Sequence, residues 1–141
     1  VLNDQGHTTD AIREFTEALR INPEFAYARN NLGDALLRQG KYNEAIVQLR
    51  EALRLKPNLV GTHNNMGIIL SIKGDFDNAI RHFNKALAIE PRSAETHTNL
   101  GNCFLAQGKP DKAAQHFQKA LKLNPGISQA RQGLKQALEA N

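Results

Sequence analysis

The chain has 141 residues, of which 40% are hydrophobic, 23% charged and 6% aromatic, a composition that excludes a disordered or fibrous protein. Its single cysteine, Cys103, excludes a disulfide framework and a multi-cysteine zinc site, and it is compatible with a reducing compartment, so we expect a cytoplasmic location. The net charge of +4 arises in residues 92–141, which carry 7 basic and 3 acidic side chains, because 11 basic and 11 acidic side chains balance in the rest.

Four prolines recur at intervals of 34 residues, which is the signature of a repeat protein. Small residues follow the same period. The recurring positions are Pro23, Pro57, Pro91 and Pro125; Gly33, Gly67 and Gly101; Gly6, Gly40, Gly74 and Gly108; Ala11, Ala45, Ala79 and Ala113; and Ala18, Ala52, Ala86 and Ala120. This phasing gives three complete units, at residues 26–59, 60–93 and 94–127, and we number the positions of each unit from its first residue.

The units predict helices in chain order. Residues 1–25 are expected to hold the end of a first helix, a turn at Gly6 and a second helix, so that this edge of the fold is incomplete. Each complete unit then has a first helix, a glycine that ends it in the left-handed conformation, and a second helix. Residues 128–141 predict a capping helix, because Ala130, Leu134, Ala137 and Leu138 share one face.

A glycine inside each first helix, at position 8, is unfavourable by about 0.8–1.0 kcal/mol relative to alanine. We expect the missing Cβ to let the two helices of a unit approach closely, with a small alanine facing it. The longest apolar stretch, residues 68–72, is far shorter than a bilayer requires, so we expect no membrane insertion. Since the chain begins with Val1 and its only methionine is Met66, we expect a fragment or a processed form, with any targeting peptide outside it.

The Leu-Gly or Met-Gly pair at positions 7 and 8, the alanines at positions 20 and 27 and the proline at position 32 resemble the tetratricopeptide repeat (TPR) family over essentially the whole chain. The resemblance implies an all-α fold, a right-handed α-solenoid of stacked helix pairs whose first helices line a concave groove. One departure is that Arg29, His63 and His97 stand where the family commonly has an aromatic residue. We expect this departure to loosen the packing within each helix pair.

At about 100° per residue, positions 2, 5, 6, 9 and 13 of each first helix face open space and are the candidate binding positions. They hold Tyr27, Asn30, Asn31, Asp34 and Arg38, then Asn64, Asn65 and Ile68, then Glu95, Thr98, Asn99 and Asn102. The same positions also hold Gly61, Ile72 and Ala106.

Asparagine recurs at position 6, as Asn31, Asn65 and Asn99, and is expected to form a row along the groove. A side-chain amide both donates and accepts, so the row could bind the backbone of an extended peptide of any sequence. This row resembles the one in the TPR region of O-linked N-acetylglucosamine transferases, which grips substrate polypeptide. In the structural alternative, the asparagines bond to neighbouring backbone and hold the superhelix together.

The clamp of TPR cochaperones for acidic C-terminal tails is not reproduced. Its positions hold Asn30, Asp34, Asn65, Glu95 and Asn99, of which only Asn65 agrees, and the two carboxylates would repel an acidic tail.

The five histidines do not predict a metal site, because the repeat-related pairs, His63 with His97 and His82 with His116, lie one unit apart. We expect His63 and His97 to be packing residues and Cys103 to be a small buried hydrophobe. No arrangement of nucleophile and base is recognisable, so we expect no enzyme activity, no cofactor and no metal in this chain.

The leading hypothesis is therefore an interaction scaffold that binds an extended segment of a protein partner. The alternative is the substrate-binding arm of a larger enzyme such as a glycosyltransferase, which a following nucleotide-sugar domain would reveal. Nucleic-acid binding by the basic C-terminal end ranks last, because no stacking aromatics are interleaved with its basic residues. The incomplete N-terminal edge is expected either to be closed by a second copy of the chain or to be sticky.

Overall fold

The computed structural model describes the backbone of residues 2–140 and the side chains of residues 6–140. Over that range the chain forms eight α-helices and no β-strand, which confirms the predicted all-α class. The helices are α1 Leu2–Ile21, α2 Ala26–Arg38, α3 Tyr42–Leu55, α4 Val60–Ile72, α5 Phe76–Ile89, α6 Ala94–Ala106, α7 Pro110–Leu123 and α8 Ser128–Glu139. Val1 and Asn141, the outer ends of the predicted segments 1–25 and 128–141, lie outside the described residues.

The helices form two compact units, residues 1–69 and residues 70–141. In the first unit α2 packs against α1 and α3, and its core includes Leu32, Leu36, Ala45, Leu49 and Ala52. In the second unit α6 packs against α5, α7 and α8, and α7 also packs against α8, around Ala113, Phe117, Ala120, Ala130 and Ala137. The helix predicted in residues 128–141 therefore packs on the preceding pair through its alanine face. Its role as a cap stays a prediction.

The small residues inside the first helices do permit a close approach. A Cβ built on Gly33 would lie 2.5 Å from Leu49 Cδ2, and one built on Gly101 would lie 2.6 Å from Phe117 Cε1. Real Cβ atoms do not come this close to another carbon, so each glycine lets the backbone of a first helix contact the large core side chain of the second. The facing Ala45 and Ala113 are 0% exposed.

Glycine also makes the turn from first to second helix. Gly40, Gly74 and Gly108 have φ angles of 74°, 83° and 71°. At the last of these turns, the amide of Gly108 donates to the carbonyl of Leu105 (3.0 Å) and the amide of Lys109 to that of Phe104 (2.8 Å). These bonds satisfy carbonyl groups that the end of α6 leaves unpaired, and an L-residue at Gly108 would be strained in this conformation.

We expect Gly108→Ala to lower the free energy of unfolding by about 1–2 kcal/mol, since its φ lies in the left-handed region. The matched control is Gly61→Ala, an exposed position within α4 whose new Cβ would make only an ordinary 3.8 Å contact with Asn30 Nδ2. This change should raise the free energy of unfolding by up to about 1 kcal/mol. Urea denaturation of both variants checks the prediction, and equal effects of the two changes would contradict it.

The chain does not turn at Gly6, and this part of the sequence prediction is wrong. Helix α1 runs from Leu2 to Ile21 through Gly6 without a break, and among the described residues only Gly40, Gly74 and Gly108 have positive φ. The turns at Gly40 and Gly108 lie between helices that pack against each other. A glycine permits the left-handed conformation without requiring it, and at Gly6 the backbone continues as part of α1.

Candidate peptide-binding surface

The predicted outward face of the first helices is largely at the surface. In α2, Tyr27 is 51% exposed and Asn31 and Arg38 are also exposed, whereas Asn30 and Asp34 are half-buried. Positions 3, 7 and 10 of the same helix, predicted to point inward, hold the buried Ala28, Leu32 and Ala35. The 3.6-residue period therefore separates binding candidates from packing residues in α2.

The other first helices repeat this division with one exception. Asn64, Asn65 and Ile68 of α4 and Asn99 of α6 are half-buried, and Glu95 and Asn102 are exposed. The prediction that Thr98 faces open space is wrong, because Thr98 is only 2% exposed. Its hydroxyl donates to the carbonyl of Ala94 (2.8 Å), so this short side chain folds back onto α6 where the longer Asn30 and Asn64 reach further outward.

The recurring asparagines at position 6 make no hydrogen bond within the part of the chain that the structure describes. This holds for the side-chain amides of Asn31, Asn65 and Asn99. Asn30 is different, since its Oδ1 accepts from the hydroxyl of Thr62 (2.8 Å), a residue that is 0% exposed. Asn30 therefore has a partner within the fold, whereas the position-6 amides have none among the described residues.

Three of the predicted binding residues line one cavity. It lies between α1 and α2 and has a volume of about 440 Å³. Its walls are His7, Thr8, Ala11 and Phe15 of α1 and Asn31, Asp34, Ala35 and Arg38 of α2. Within it, Arg38 Nε lies 3.1 Å from Asp34 Oδ2, so these two charges neutralise each other at the rim.

A hydrogen bond that was not predicted from the sequence recurs at position 4. Arg29 Nη2 donates to the carbonyl of Pro23 (3.2 Å), and His63 Nε2 lies 2.8 Å from the carbonyl oxygen of Pro57. His97 likewise hydrogen-bonds to the backbone of Pro91. In each case the donor follows the proline by six residues. All three position-4 side chains carry an N–H donor, which is the signal that could have identified this contact.

Polar contacts replace the aromatic packing that the family commonly has at position 4. Arg29 Nη1 donates to Gln48 Oε1 (2.8 Å), which joins α2 to α3. His97 Nδ1 lies 3.1 Å from His116 Nδ1, which joins α6 to α7. As predicted, His63 and His97 are packing residues, at 4% and 8% exposure.

The proton positions of the histidine pair follow from its partners. Because proline has no N–H, His97 must donate to the Pro91 carbonyl, and Nε2 is the ring nitrogen left for this bond. His97 Nδ1 then accepts a hydrogen bond from the Nδ1–H of His116, and both rings are neutral. Burial, followed by the nearby His97 and Lys119, lowers the pKa of His116 to about 4, and burial with Lys119 also lowers the pKa of His97.

The single thiol of the chain, at Cys103, lies in the core. Cys103 is 1% exposed, and burial raises the pKa of its thiol, which Ser71 Oγ at 3.2 Å only partly opposes. This thiol lacks the thiolate character of a nucleophile. No group of three or more His, Cys, Asp or Glu in residues 6–140 is arranged to hold a metal ion. In the same part of the chain, no helix combines the length and apolar character needed to cross a membrane.

Several solved structures share this fold. The crystal structure of MamA protein is 24% identical, with 96% of this chain and 74% of that chain covered and a TM-score of 0.87. The first TPR of Spaghetti (RPAP3) bound to the HSP90 peptide SRMEEVD is 23% identical. The match covers 82% of this chain and 91% of that chain, with a TM-score of 0.79. The pilF protein of Pseudomonas aeruginosa is 25% identical. The match covers 95% of this chain and 61% of that chain, with a TM-score of 0.86. The search of curated proteins found no match to this chain.

Two family models describe the sequence, and both are models of the tetratricopeptide repeat. One matches residues 2–59 and the other residues 59–125. Together they span residues 2–125, which include the units 26–59 and 60–93 and nearly all of 94–127 and 1–25. The fold class predicted from the sequence, an all-α repeat of the TPR solenoid type, is thereby confirmed. The chain belongs to the tetratricopeptide repeat family.

Proposed function

We propose that this TPR chain is a protein-interaction module that binds an extended segment of a partner protein along the outward faces of α2, α4 and α6. The observation that carries the proposal is that the amides of Asn31, Asn65 and Asn99 have no hydrogen-bond partner among the described residues. A structural role for them would have required bonds to neighbouring backbone. Amides at the surface of three equivalent helices are instead suited to an external ligand.

The chemistry of the amide fits peptide backbone. Each side-chain amide can accept from a peptide N–H and donate to a peptide carbonyl, and neither bond depends on the side chains of the ligand. Binding of this kind is tolerant of sequence, and pockets beside the amides must supply selectivity. The side chains around Asn31 are close to neutral in sum, because Asp34 and Arg38 form an ion pair. The ligand segment next to Asn31 should therefore be uncharged.

Tyr27 adds an apolar contact at the end of this face. Its ring is 51% exposed, and Lys56 Nζ lies 4.5 Å from the ring centroid. An exposed aromatic ring held by a neighbouring cation offers a large contact area with little loss of conformational freedom on binding. We expect the ligand segment to place an aliphatic or aromatic side chain against Tyr27.

The test compares the wild-type chain with the triple variant Asn31→Ala, Asn65→Ala, Asn99→Ala on an array of extended peptides. We expect the variant to lose about tenfold or more in affinity, roughly the loss of one or two net hydrogen bonds. The matched control replaces exposed amides of second helices, as Asn84→Ala, Gln115→Ala and Gln118→Ala, and should bind as the wild type does. Circular dichroism verifies that both variants are folded. Equal binding by the two triple variants would contradict the proposal.

A second prediction concerns the peptide that the Spaghetti TPR binds. SRMEEVD ends in four acidic groups, two Glu, one Asp and its terminal carboxylate, and the corresponding clamp positions here include Asp34 and Glu95. Like charges at these positions disfavour an acidic ligand, so we expect calorimetry to detect no binding of SRMEEVD. Replacing both carboxylates by their amides, as Asp34→Asn and Glu95→Gln, removes the repulsion without supplying the cationic clamp and should produce weak binding at most. Tight binding by the wild type would show that the clamp assignment is wrong.

A further inference from the structure

The exposed face of α7 carries three lysines, which form the lysine row of this helix. Lys112, Lys119 and Lys122 are exposed, and at about 100° per residue they fall within about 80° of the helix circumference. The row is about 15 Å long, at about 1.5 Å per residue. None of the three lysines forms an ion pair with another of the residues that the structure describes. The acidic residue of α7, Asp111 in its first turn, makes an interaction of its own.

The second helix of the first complete unit has the opposite charge at two of these positions. Positions 19 and 26 hold glutamate in α3 and lysine in α7. In α3, Glu51 Oε1 lies 2.6 Å from Arg54 Nη2, so these two charges compensate. The equivalent residues of α7 are Lys119 and Lys122, two like charges one turn apart, which disfavour each other. The lysine row therefore lacks the acidic groups that the same helix face supplies for itself in α3.

The exposure of this face is a property of the second helices in general. Positions 26 and 29 of α5 hold Lys85 and Ala88, which are exposed although α6 and α7 follow them in the chain. In α3, Arg54 at position 29 has 62% of its side-chain surface exposed. The lysine row is exposed for the same reason, because each second helix turns these positions away from the first helix that it packs against.

The charge of the lysine row extends to the histidine pair of α6 and α7. Burial is the main cause of the lowered pKa of His97 and of His116, and the charge of Lys119 lowers both pKa values further. Lys112 Nζ lies 5.7 Å from the ring centroid of Phe104, on which His116 stacks. No acidic group contributes to either pKa shift. The positive potential at this face is therefore not compensated by carboxylates beside the two rings.

From this charge distribution we propose that the lysine row of α7 is a docking surface for an acidic segment of a partner protein. Carboxylates of the partner pair with Lys112, Lys119 and Lys122 and provide the compensation that glutamate provides within α3. At about 3.3 Å per extended residue, a segment of about five residues spans the row. This surface lies on a second helix and is separate from the peptide binding proposed for the first helices.

The side chains around the lysine row favour an acidic peptide over a nucleic acid. A cavity of about 550 Å³ on this face is lined by Gln115, Gln118, Lys119, Leu121 and Lys122. Its amides can donate to carboxylates or to peptide carbonyls. None of the lining residues is aromatic, and the nearby rings of His97, His116 and Phe104 stack on one another. Single-stranded nucleic acids bind largely by stacking their bases on exposed aromatic rings, which this face does not offer.

The probe for the test is hexaglutamate labelled with fluorescein at its amino terminus, which is long enough to span the lysine row. We expect it to bind the full chain at about 150 mM salt with a dissociation constant below about 1 mM, measured by fluorescence anisotropy. The triple variant Lys112→Gln, Lys119→Gln, Lys122→Gln should bind it at least about tenfold more weakly, because three exposed ion pairs are lost. Absence of binding by the wild type would overturn the proposal.

The matched control removes three exposed positive charges from other helices and turns, as Lys41→Gln, Arg50→Gln and Lys73→Gln. The two triple variants have the same net charge, so a difference between them locates the site. We expect the control to bind hexaglutamate within about twofold of the wild type, since salt screens distant charges. Circular dichroism verifies that both variants are folded. Equal weakening in the two variants would show that binding follows net charge alone, which overturns the docking surface.

Two further ligands define the class of partner. SRMEEVD has four acidic groups, but its arginine and its amino terminus leave it a net charge of −2. We therefore expect it to bind the lysine row at least about tenfold more weakly than hexaglutamate, below detection by calorimetry. The second ligand is a fluorescein-labelled oligothymidylate of the same length as hexaglutamate. If this oligonucleotide binds more tightly than hexaglutamate and loses affinity in the lysine variant, the face belongs to a nucleic acid and docking of an acidic protein segment is overturned.

Discussion

Replacing Phe117 with alanine is expected to lower the free energy of unfolding by about 3–5 kcal/mol, the range for a buried phenylalanine whose site cannot collapse. Its side chain is 0% exposed. A Cβ on Gly101 would lie 2.6 Å from its ring and one on Gly133 only 2.4 Å away, so the backbones of α6 and α8 both contact it directly. With no side chain at either glycine to fill the gap, the substitution leaves a cavity between three helices. Since a domain is stable by only about 5–15 kcal/mol, the loss should be plain in urea denaturation followed by circular dichroism.

The control for this change is Phe25→Ala, because Phe25 is 44% exposed and lies before α2 rather than in the core. We expect it to change the free energy of unfolding by less than about 1 kcal/mol. A second variant tests the reason for the effect. Adding Gly101→Ala to Phe117→Ala should cost little, because the ring that its Cβ would meet is gone, whereas Gly101→Ala alone should be destabilising. Additive effects of the two changes would show that glycine and ring are not in contact.

The helix pairs could be predicted because several residue types report the same boundary in every unit. Gly40, Gly74 and Gly108 each mark a left-handed turn, and in the structure each has positive φ. Between them, apolar residues recur at helical spacing, and the glycines of the first helices face the large residues of the second. The fold can be predicted from such a sequence because the residues that set local conformation and those that set packing indicate the same helix boundaries.

Gly6 is the exception, because α1 continues through it without a turn. Gly6 has the same sequence signal as Gly40, but a glycine permits a left-handed turn without requiring one. At Gly40 and Gly108 the turn joins two helices that pack against each other, whereas Gly6 lies inside α1. Position within a repeat therefore does not by itself predict backbone conformation.

The sequence period predicts which positions of the first helices point outward, but it predicts less well which of those side chains are exposed. An angle of about 100° per residue places Asn30, Asn64 and Thr98 on the same side, but it does not encode side-chain length, and the short Thr98 is covered. The hydrogen bonds from Arg29, His63 and His97 to proline carbonyls were not predictable from periodicity either. They depend on how the turn before each helix orients a carbonyl group, which the sequence pattern does not specify.

The paired rings of His97 and His116 should make the protein less stable in mild acid. Both pKa values are lowered in the folded chain, that of His116 to about 4, so an unfolded chain takes up protons near the ordinary histidine value of 6.5 before the folded chain does. Stability from this pair is therefore complete above about pH 6.5 and is lost as the pH falls towards about 4. A full shift of this size corresponds to about 3 kcal/mol, and partial access of solvent to the His116 ring reduces the expected loss to about 1–2 kcal/mol.

The charged groups around His97 and His116 also favour a lowered pKa of both rings. Lys119 lowers the pKa of both rings through its charge, and His116 stacks on Phe104, with ring centroids 5.4 Å apart. Lys112 Nζ lies 5.7 Å from the centroid of that phenylalanine ring, so a second cation is close to the stack. No acidic group is among the causes of either pKa shift. Protonation of His97 would also remove the hydrogen bond between the rings, because both Nδ1 atoms would then be donors.

The measurement is urea denaturation of the wild type and of His116→Gln at about pH 7 and about pH 4.5, on either side of the ordinary histidine pKa. Glutamine is the residue at the equivalent position of the first complete unit, where Gln48 accepts from Arg29, so the variant keeps a polar partner for His97 without the lowered pKa. We expect the wild type to lose about 1–2 kcal/mol more than the variant between the two pH values. His7→Gln, at an exposed position of α1, should lose as much as the wild type. If His116→Gln retains the full pH dependence, the acid sensitivity arises from carboxylates elsewhere in the fold. If His116→Gln and His7→Gln lose the pH dependence of the free energy of unfolding to the same extent, that dependence does not arise from the paired rings of His97 and His116.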